Sequence, residues 1–380
     1  MGKYKFIATA AALLSAAVCM AQGPCTLDAD TLARRIGSSQ VRRIEAGEFY
    51  GSQVIVYQYG KQVLDSVYGT VSETGPALCG DELYRIASMT KPLTALALLI
   101  EHGRGHLDIY DDLSAYLPEF AGRNIKLFQL VSHLSGVGEV DMDSTGMKSC
   151  TLEKAVQYLS SSPSVFEAGT RQQYSTGAFD LAAMVVSKVS GMEFGEYLRR
   201  NIFRKLGMKD TTFEPSGRQW GRMVEMHARD AEGRSCPSDI QEGCVFGNFP
   251  VGYHAAGAAL ASTAQDYAAF ALMLAAHGKS RSGRRVTDPQ TLALMSTPFV
   301  DDSIMAGSQK WGLGVRVITG ENTLPEGAFG WSGAYGTHFW IDPVNDIVVV
   351  YMKNSTFDGG AGATTARELE QDVMSSLMKK

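Results

Sequence analysis

Three absences narrow the chemistry of this 380-residue chain before any motif is read. It has no His-Glu-x-x-His, so the helix-borne zinc site of metalloproteases is missing. It has no Gly-x-Ser-x-Gly, so the strand-to-helix nucleophile elbow of an α/β-hydrolase is missing too. Positive charge is not in excess: 35 Lys and Arg stand against 40 Asp and Glu, and a net charge of −5 speaks against nucleic acid or an anionic membrane as partner. Internal repeats and low-complexity linkers are lacking as well. His102 and His106 flank Gly103-Arg104-Gly105, a helix end and a turn, so they read as structural, and neither a metal nor an organic cofactor is called for. Long apolar runs are also scarce. One of about 16 residues, from Phe6 to Ala21, falls short of the roughly 20 needed to span a bilayer.

That run has another use. Lys3 and Lys5 precede it and Cys19-Met20-Ala21 closes it before Gln22, the pattern of a secretory signal peptide over residues 1–21. The sequence thus predicts a secreted or periplasmic protein with no stable membrane anchor after cleavage. Cleavage removes two lysines and no acid, leaving a net charge of −7. Five cysteines then remain, Cys25, Cys79, Cys150, Cys236 and Cys244, an odd count that leaves at least one thiol free in a monomer. Cys236 and Cys244 are the candidates for a disulfide, with two small buried residues as the alternative reading.

A composition 45% hydrophobic and 20% charged is that of a soluble globular protein, with room for one large domain or two interlocked ones. Residues 52–59 and 62–68, β-branched and aromatic around Gly60-Lys61, predict a β-hairpin. Strands are predicted again at 312–319, 336–342 and 346–352, followed by a helix over 363–378. Helical patterns fill the middle at 125–134, 151–161, 175–190, 193–206 and 263–277, several closed by Gly191, Gly207 or Gly278. The prediction is an α/β (α+β) fold: an antiparallel sheet built from both chain ends and flanked by helices, with a mostly helical insertion. The expected division is 30–104 with 255–380 for the sheet domain, and 105–254 for the helical domain and a substrate-side loop.

Chemistry concentrates first at Ser88-Met89-Thr90-Lys91, at the head of an apolar stretch. Residues three apart share a helix face, so the Lys91 amine can reach the Ser88 hydroxyl. A serine in a first helical turn also aims developing negative charge at free backbone N–H groups and the positive end of the helix dipole. Spacing alone is weak: about one such match arises by chance at this length, and Ser376-Leu377-Met378-Lys379 is a second, set aside because it ends a polar segment. Tyr174-Ser175-Thr176, before the helix starting near Gly177, places a phenol able to pass protons at a helix mouth; taken alone, packing is the commoner fate of a tyrosine. Gly330-Trp331-Ser332-Gly333-Ala334-Tyr335-Gly336 leads into a strand, and its glycines allow the close backbone approach that an oxyanion hole requires; an ordinary hairpin turn is the alternative.

In this order, Ser88-x-x-Lys91, Tyr174-Ser175 and Trp331-Ser332-Gly333 resemble the three motifs of class C β-lactamases, related D,D-peptidases and family VIII carboxylesterases. The surrounding segments 85–87, 107–120, 130–137, 166–174, 201–213 and 262–274 are similar in the same order, so the resemblance runs from about residue 30 to the C-terminus. Lys279, Arg281, Arg284 and Arg285 fall in what resembles a surface hairpin of that family, and are read as solvated. The resemblance implies the serine β-lactamase/D,D-peptidase fold, with Ser88, Lys91 and Tyr174 catalytic and the N–H groups of Ser88 and Ala334 as the oxyanion hole. Substrate would be bound by Thr176, Trp331, Ser332 and Gly333. Thr176 and Trp331 depart from class C, which carries Asn and Lys there to meet a lactam's amide and carboxylate. Trp-x-Gly instead resembles the family VIII carboxylesterases, and implies an acyl-enzyme on Ser88 made from a small-molecule ester. The alternatives are a β-lactamase or D-Ala-D-Ala carboxypeptidase acting on amides, and a non-hydrolytic acyltransferase or binding protein. Phe246, Phe249 and Tyr253 are candidates to line an acyl pocket with Trp331, against core packing for any one of them.

Overall fold

The computed structural model describes residues 25–141, 150–238, 240, 244–247, 252–360 and 362–378. The proposed signal peptide lies outside them, as does Phe249.

Seven strands form one antiparallel sheet: β1 (Gly51–Gln58), β2 (Lys61–Gly69), β3 (Gln309–Trp311), β4 (Arg316–Ile318), β5 (Phe329–Ser332), β6 (His338–Asp342) and β7 (Ile347–Lys353). Their spatial order is β2-β1-β7-β6-β5-β4-β3, so the two ends of the chain meet at the β1–β7 pair. β1 is buried along its whole length, its polar Ser52, Gln53 and Gln58 included, because both faces of the sheet are covered. Val54 and Val56 face one side, with Trp340, Val349 and Tyr351, and pack on Leu32 and Ile36 of helix α1 (Ala29–Glu45). Ile55 and Tyr57 face the other, with Phe339, Val348 and Val350, against helices α2 (Thr90–Gly103), α3 (Gly177–Ser190) and α4 (Ala264–Ala275). Leu369 and Val373 of α5 (Thr364–Met374) join the α1 side. Beyond α5, Leu377–Met378 pairs with Thr26–Leu27 and ties the described chain ends together.

Besides the helix predicted over 363–378, which stops at Met374 before the Leu377–Met378 strand, sequence and structure part company at three places. The predicted strand 312–319 is a hairpin of β3 and β4, turned by Gly312-Leu313-Gly314: Gly314 has φ +74°, and a Cβ on Gly312 would lie 2.2 Å from the Met295 carbonyl oxygen. The predicted helix 125–134 is reduced to Leu127–Val131, because His133 adopts φ +62° and is held so from outside the segment. The predicted helix 193–206 is two short α-turns around a π-turn at Arg199–Phe203, ended by Gly207 at φ +76°. No described helix is long and apolar enough to cross a membrane. The five cysteines of the described chain are free, so the expected Cys236–Cys244 bridge is not formed. Cys236 lies in a short strand paired with His227–Arg229, while the Cys244 carbonyl is engaged by the Arg85 guanidinium.

Candidate active site

α2 is buried on every side from Thr90 to Glu101, its polar Lys91, Thr94 and Glu101 included, a central helix rather than a surface one. It begins with a 3₁₀ turn, Ala87–Met89, entered through Ala87 at φ +44°. A left-handed alanine costs about 1–2 kcal/mol, and full burial of Ala87 holds it there. The strained turn sets Ser88 at the mouth of α2, one turn from Lys91. Lys91 is fully buried, and its Nζ donates to the Gly257 carbonyl (2.8 Å), to Thr176 Oγ1 (3.2 Å) and to Ser88 Oγ (3.4 Å). The faces of Tyr174 and Phe179 lie 4.5 and 5.3 Å from the same nitrogen.

Tyr174 and Thr176 arrive from the N-terminus of α3. Glu139 caps that terminus, accepting from the Thr176 N–H (2.7 Å) and the Gly177 N–H (3.1 Å), where the helix dipole favours a negative group. The neighbouring Ser175 N–H donates to His133 Nδ1 (3.1 Å), the contact that keeps His133 out of the preceding helix. Burial and the charges of Lys91 and Arg316 push the His133 pKa far down, so the ring is neutral with its proton on Nε2. Its edge meets Trp311 at 4.2 Å between ring centroids. The Tyr174 ring packs on His133, Trp311 and Trp331, and its hydroxyl accepts from Trp331 Nε1 at 3.4 Å.

Strand β5 supplies the third side. Trp331 is 6% exposed and pairs across the strand with Phe339, on the face that meets α2 and α4. Side chains alternate along a strand, so Ser332 points to the opposite face. Its hydroxyl lies 2.8 Å from His338 Nδ1, and His338 Nε2 lies 3.1 Å from a Glu370 oxygen of α5. The structure therefore brings together Ser88, Lys91, Tyr174, Thr176 and Trp331 and leaves the Ser332 hydroxyl behind the sheet. Gly333 packs against the residue that starts the Ser88 turn: a Cβ there would lie 2.4 Å from the Ile86 carbonyl oxygen and 2.2 Å from Thr337 Oγ1. The glycine thus serves a backbone-to-backbone approach. Ala334 follows it, exposed, with an N–H that has no hydrogen-bond partner among the described residues. Of the expected pocket residues, Phe246 packs on Tyr335, and Tyr253 is buried with its hydroxyl on Asp180.

Four participants were not legible as site residues. Gly257 offers a carbonyl, and Glu139 is a lone loop acid. Asp180 left a signal, a single acid in the apolar run Gly177–Val186. Arg316 of β4 lies with its guanidinium carbon 5.2 Å from the ring centroids of both Trp311 and Trp331. It makes no ion pair among the described residues and its Nε is buried without an acceptor.

The family model described as Beta-lactamase matches residues 39–372. Among curated proteins the chain is similar to "Esterase EstB" of Burkholderia gladioli, 24% identical over 389 residues and covering 90% of this chain and 95% of that one. It is also similar to the "D-alanyl-D-alanine-carboxypeptidase/endopeptidase AmpH" of Escherichia coli (strain K12), 30% identical over 230 residues, 56% of this chain and 59% of that one. A solved structure, "EstCE1, a hydrolase with promiscuous acyltransferase activity", superposes with a TM-score of 0.80 at 22% identity over 91% of this chain and 99% of its own. With the match extending over almost the whole described chain, from α1 to α5, this protein belongs to the beta-lactamase family of serine hydrolases.

Proposed function

We propose that the protein is a secreted carboxylesterase that forms an acyl-enzyme on Ser88. The observation that carries this reading is Trp331: an uncharged, nearly buried indole forms the wall beside Tyr174, where class C enzymes present a lysine. An apolar wall favours a neutral acyl group, whereas a carboxylate buried without a cationic partner is costly. The sheet part (30–104 and 255–380) supplies Ser88, Lys91, Trp331 and Ala334, the helical part (105–254) supplies Tyr174 and Thr176, and substrate enters between them.

In the proposed chemistry Ser88 Oγ attacks the ester carbonyl carbon and its proton passes to the Lys91 nitrogen. Lys91 Nζ lies 3.4 Å from Ser88 Oγ, held there by its contacts with the Gly257 carbonyl and Thr176 Oγ1. The N–H groups of Ser88 and Ala334 hold the oxyanion, each donor contributing about 10² to 10³ in rate. Collapse of the tetrahedral adduct breaks the bond to the alcohol oxygen, which takes a proton relayed through Tyr174. Water then attacks the acyl-serine and releases the acid.

The test is the kcat/KM of a chromogenic butyrate ester measured beside that of a chromogenic cephalosporin. The ester is expected to win by orders of magnitude, and an equal or better cephalosporin overturns the reading. One observation favours the second reading, hydrolysis of carboxylate-bearing amides as in D,D-peptidases: Arg316, a cation without an anionic partner, lies against the indoles and close enough to Tyr174 for their charges to interact. If the cephalosporin wins, Arg316→Gln should abolish that advantage by removing a charge-assisted hydrogen bond to the carboxylate. Export is checked at the N-terminus: mature protein should begin at Gln22 outside the cytoplasm, and an intact Met1 on membrane-bound protein would refute it.

A further inference from the structure

Asp180 is 1% exposed, and both of its carboxyl oxygens are engaged by one short segment of chain. The Ala256 N–H donates to Oδ1 at 2.8 Å and the Tyr253 hydroxyl donates to Oδ2 at 2.5 Å. The same segment, residues 253–257, crosses to α2: the Ala256 carbonyl accepts from the Thr94 hydroxyl (2.5 Å), and the Gly257 carbonyl accepts from Lys91 Nζ (2.8 Å). A strap of five residues is therefore gripped by a carboxyl on α3 and in turn grips the amine on α2. Its approach is as close as a glycine permits, since a Cβ on Gly257 would lie 2.7 Å from Thr176 Cγ2 and 3.2 Å from Lys91 Nζ.

We propose that Asp180 is a positioning residue for Lys91: its carboxyl fixes the strap 253–257 so that the Gly257 carbonyl takes one hydrogen of the amine and leaves the amine aimed at Ser88. This rests on the reading of Lys91 as the group that takes the Ser88 proton. Packing alone does not account for an acid here, because a carboxyl in an apolar helix is costly to bury where Leu or Ala would serve. The groups whose charges reach it are Lys91 on α2, Glu139 before α3, and Tyr253 and Cys150 on the segments packed against it. Hydrogen bonding to the strap survives a change of protonation: the Ala256 N–H keeps its acceptor, while the Tyr253 hydroxyl turns from donor to acceptor when Oδ2 carries the proton. An amide reproduces that second arrangement.

The experiment compares Asp180→Ala, Asp180→Asn and Tyr253→Phe in the mature protein. It reads the rate of Ser88 labelling by a fluorophosphonate, kcat and KM on a butyrate ester, and the melting temperature. Asp180→Ala should lose about a hundredfold in labelling rate and kcat, the usual consequence of displacing a reacting group by about 1 Å, with KM changed by less than about threefold. Asp180→Asn should recover at least about a third of the wild-type rate, and Tyr253→Phe, which loses one of the two grips and tests the strap where the alanine protein does not fold, should fall between. A folded Asp180→Ala or Tyr253→Phe protein that labels at the wild-type rate overturns the proposal, and so does an asparagine variant as slow as the alanine one. Labelling of the wild type itself reports on Ser88 as nucleophile, so a failure of the site reading is seen there, separately from the ratios among variants.

Discussion

Replacing Gly333 by alanine isolates the contact that joins the strand β5 turn to the nucleophile turn. The new Cβ would stand 2.4 Å from the Ile86 carbonyl oxygen and 2.2 Å from Thr337 Oγ1. Ordinary carbon-to-oxygen contacts begin near about 3.3 Å, so something must move by about 1 Å. Thr337 can rotate away, at the loss of its hydrogen bond to the Ile86 carbonyl (3.1 Å). The Ile86 carbonyl has less freedom, because it also accepts the Met89 N–H (3.0 Å) that closes the 3₁₀ turn bearing Ser88. The turn after β5 must therefore retreat, although its far side is pinned by the Gly336 and Gly360 N–H groups on the Gly333 carbonyl. Overpacking of this kind costs about 1–3 kcal/mol and the lost hydroxyl bond about 1 kcal/mol. Together these lower the melting temperature by about 3–5 °C in a chain of this length. The same retreat carries the Ala334 N–H away from Ser88, at about 10² to 10³ in acylation rate. Circular dichroism melts and quenched fluorophosphonate labelling, read by intact mass well below the melt, measure the two effects. Gly278→Ala is the control: its Cβ would lie 2.3 Å from the Thr287 carbonyl oxygen, at φ +88°, in the hairpin 278–287 outside the site. It should lose stability and keep the labelling rate. A Gly333→Ala protein that labels within about threefold of wild type, or slows no more than the Gly278→Ala protein, refutes the reasoning.

Ser88→Ala should abolish both ester turnover and the mass gain on labelling; a persistent adduct would move attention to Ser376, which is buried with its hydroxyl on the Asp372 carbonyl. Lys91→Ala and Tyr174→Phe should each lower kcat by about 10² to 10⁴ with a smaller change in KM, and a Tyr174→Phe enzyme of normal kcat would return that ring to packing. Burial pushes the Asp180 carboxyl up to about 7, against about 3.9 in an unfolded chain. Between roughly pH 4 and 7 the fold retains a proton that the unfolded chain releases, so stability declines as pH rises through that window and levels off above it. Asp180→Asn removes this slope, and chemical denaturation of variant and wild type at pH 4 and pH 8 should show the variant gaining a few kcal/mol at the higher pH, whereas parallel profiles would contradict the raised pKa. Denatured mature protein should titrate with five equivalents of thiol reagent; three would mean that one disulfide forms in solution.

What the sequence revealed of the fold was what periodicity and composition encode. The apolar stretches Val54–Tyr57 of β1 and Ile347–Met352 of β7 announced strands, and their places at the two ends of the chain announced how the sheet closes. The departures sit where a tertiary contact overrides local preference. His133 ends a helix that its neighbours would continue, because its ring nitrogen is committed to the Ser175 N–H some forty residues on. The β3–β4 hairpin was read as one strand because Gly312-Leu313-Gly314 signals a turn only once the Met295 carbonyl is known to press on it.

The site divides along a similar line. Ser88 and Lys91 could be paired from spacing because the turn that carries Ser88 runs directly into the helix that carries Lys91, so a short sequence distance becomes a short reach. Tyr174, Trp331 and Ala334 needed the resemblance, since nothing in their own segments says which surfaces they will meet. Ser332 shows how coarse a motif is: it belongs to the same tripeptide as Trp331, yet the pleat turns its hydroxyl to His338 and Glu370, where it can steady the strand end but cannot touch an acyl group. Gly257 is harder still, because its contribution to Lys91 is a carbonyl, and every residue has one. Such a role leaves a mark on the sequence only through what it forbids, here any Cβ between Thr176 and Lys91. Asp180 leaves the complementary mark, a carboxyl retained in an apolar helix, and the two residues are the opposite ends of one strap. A buried acid facing a short run of small residues across the core is thus a more informative pairing than either alone.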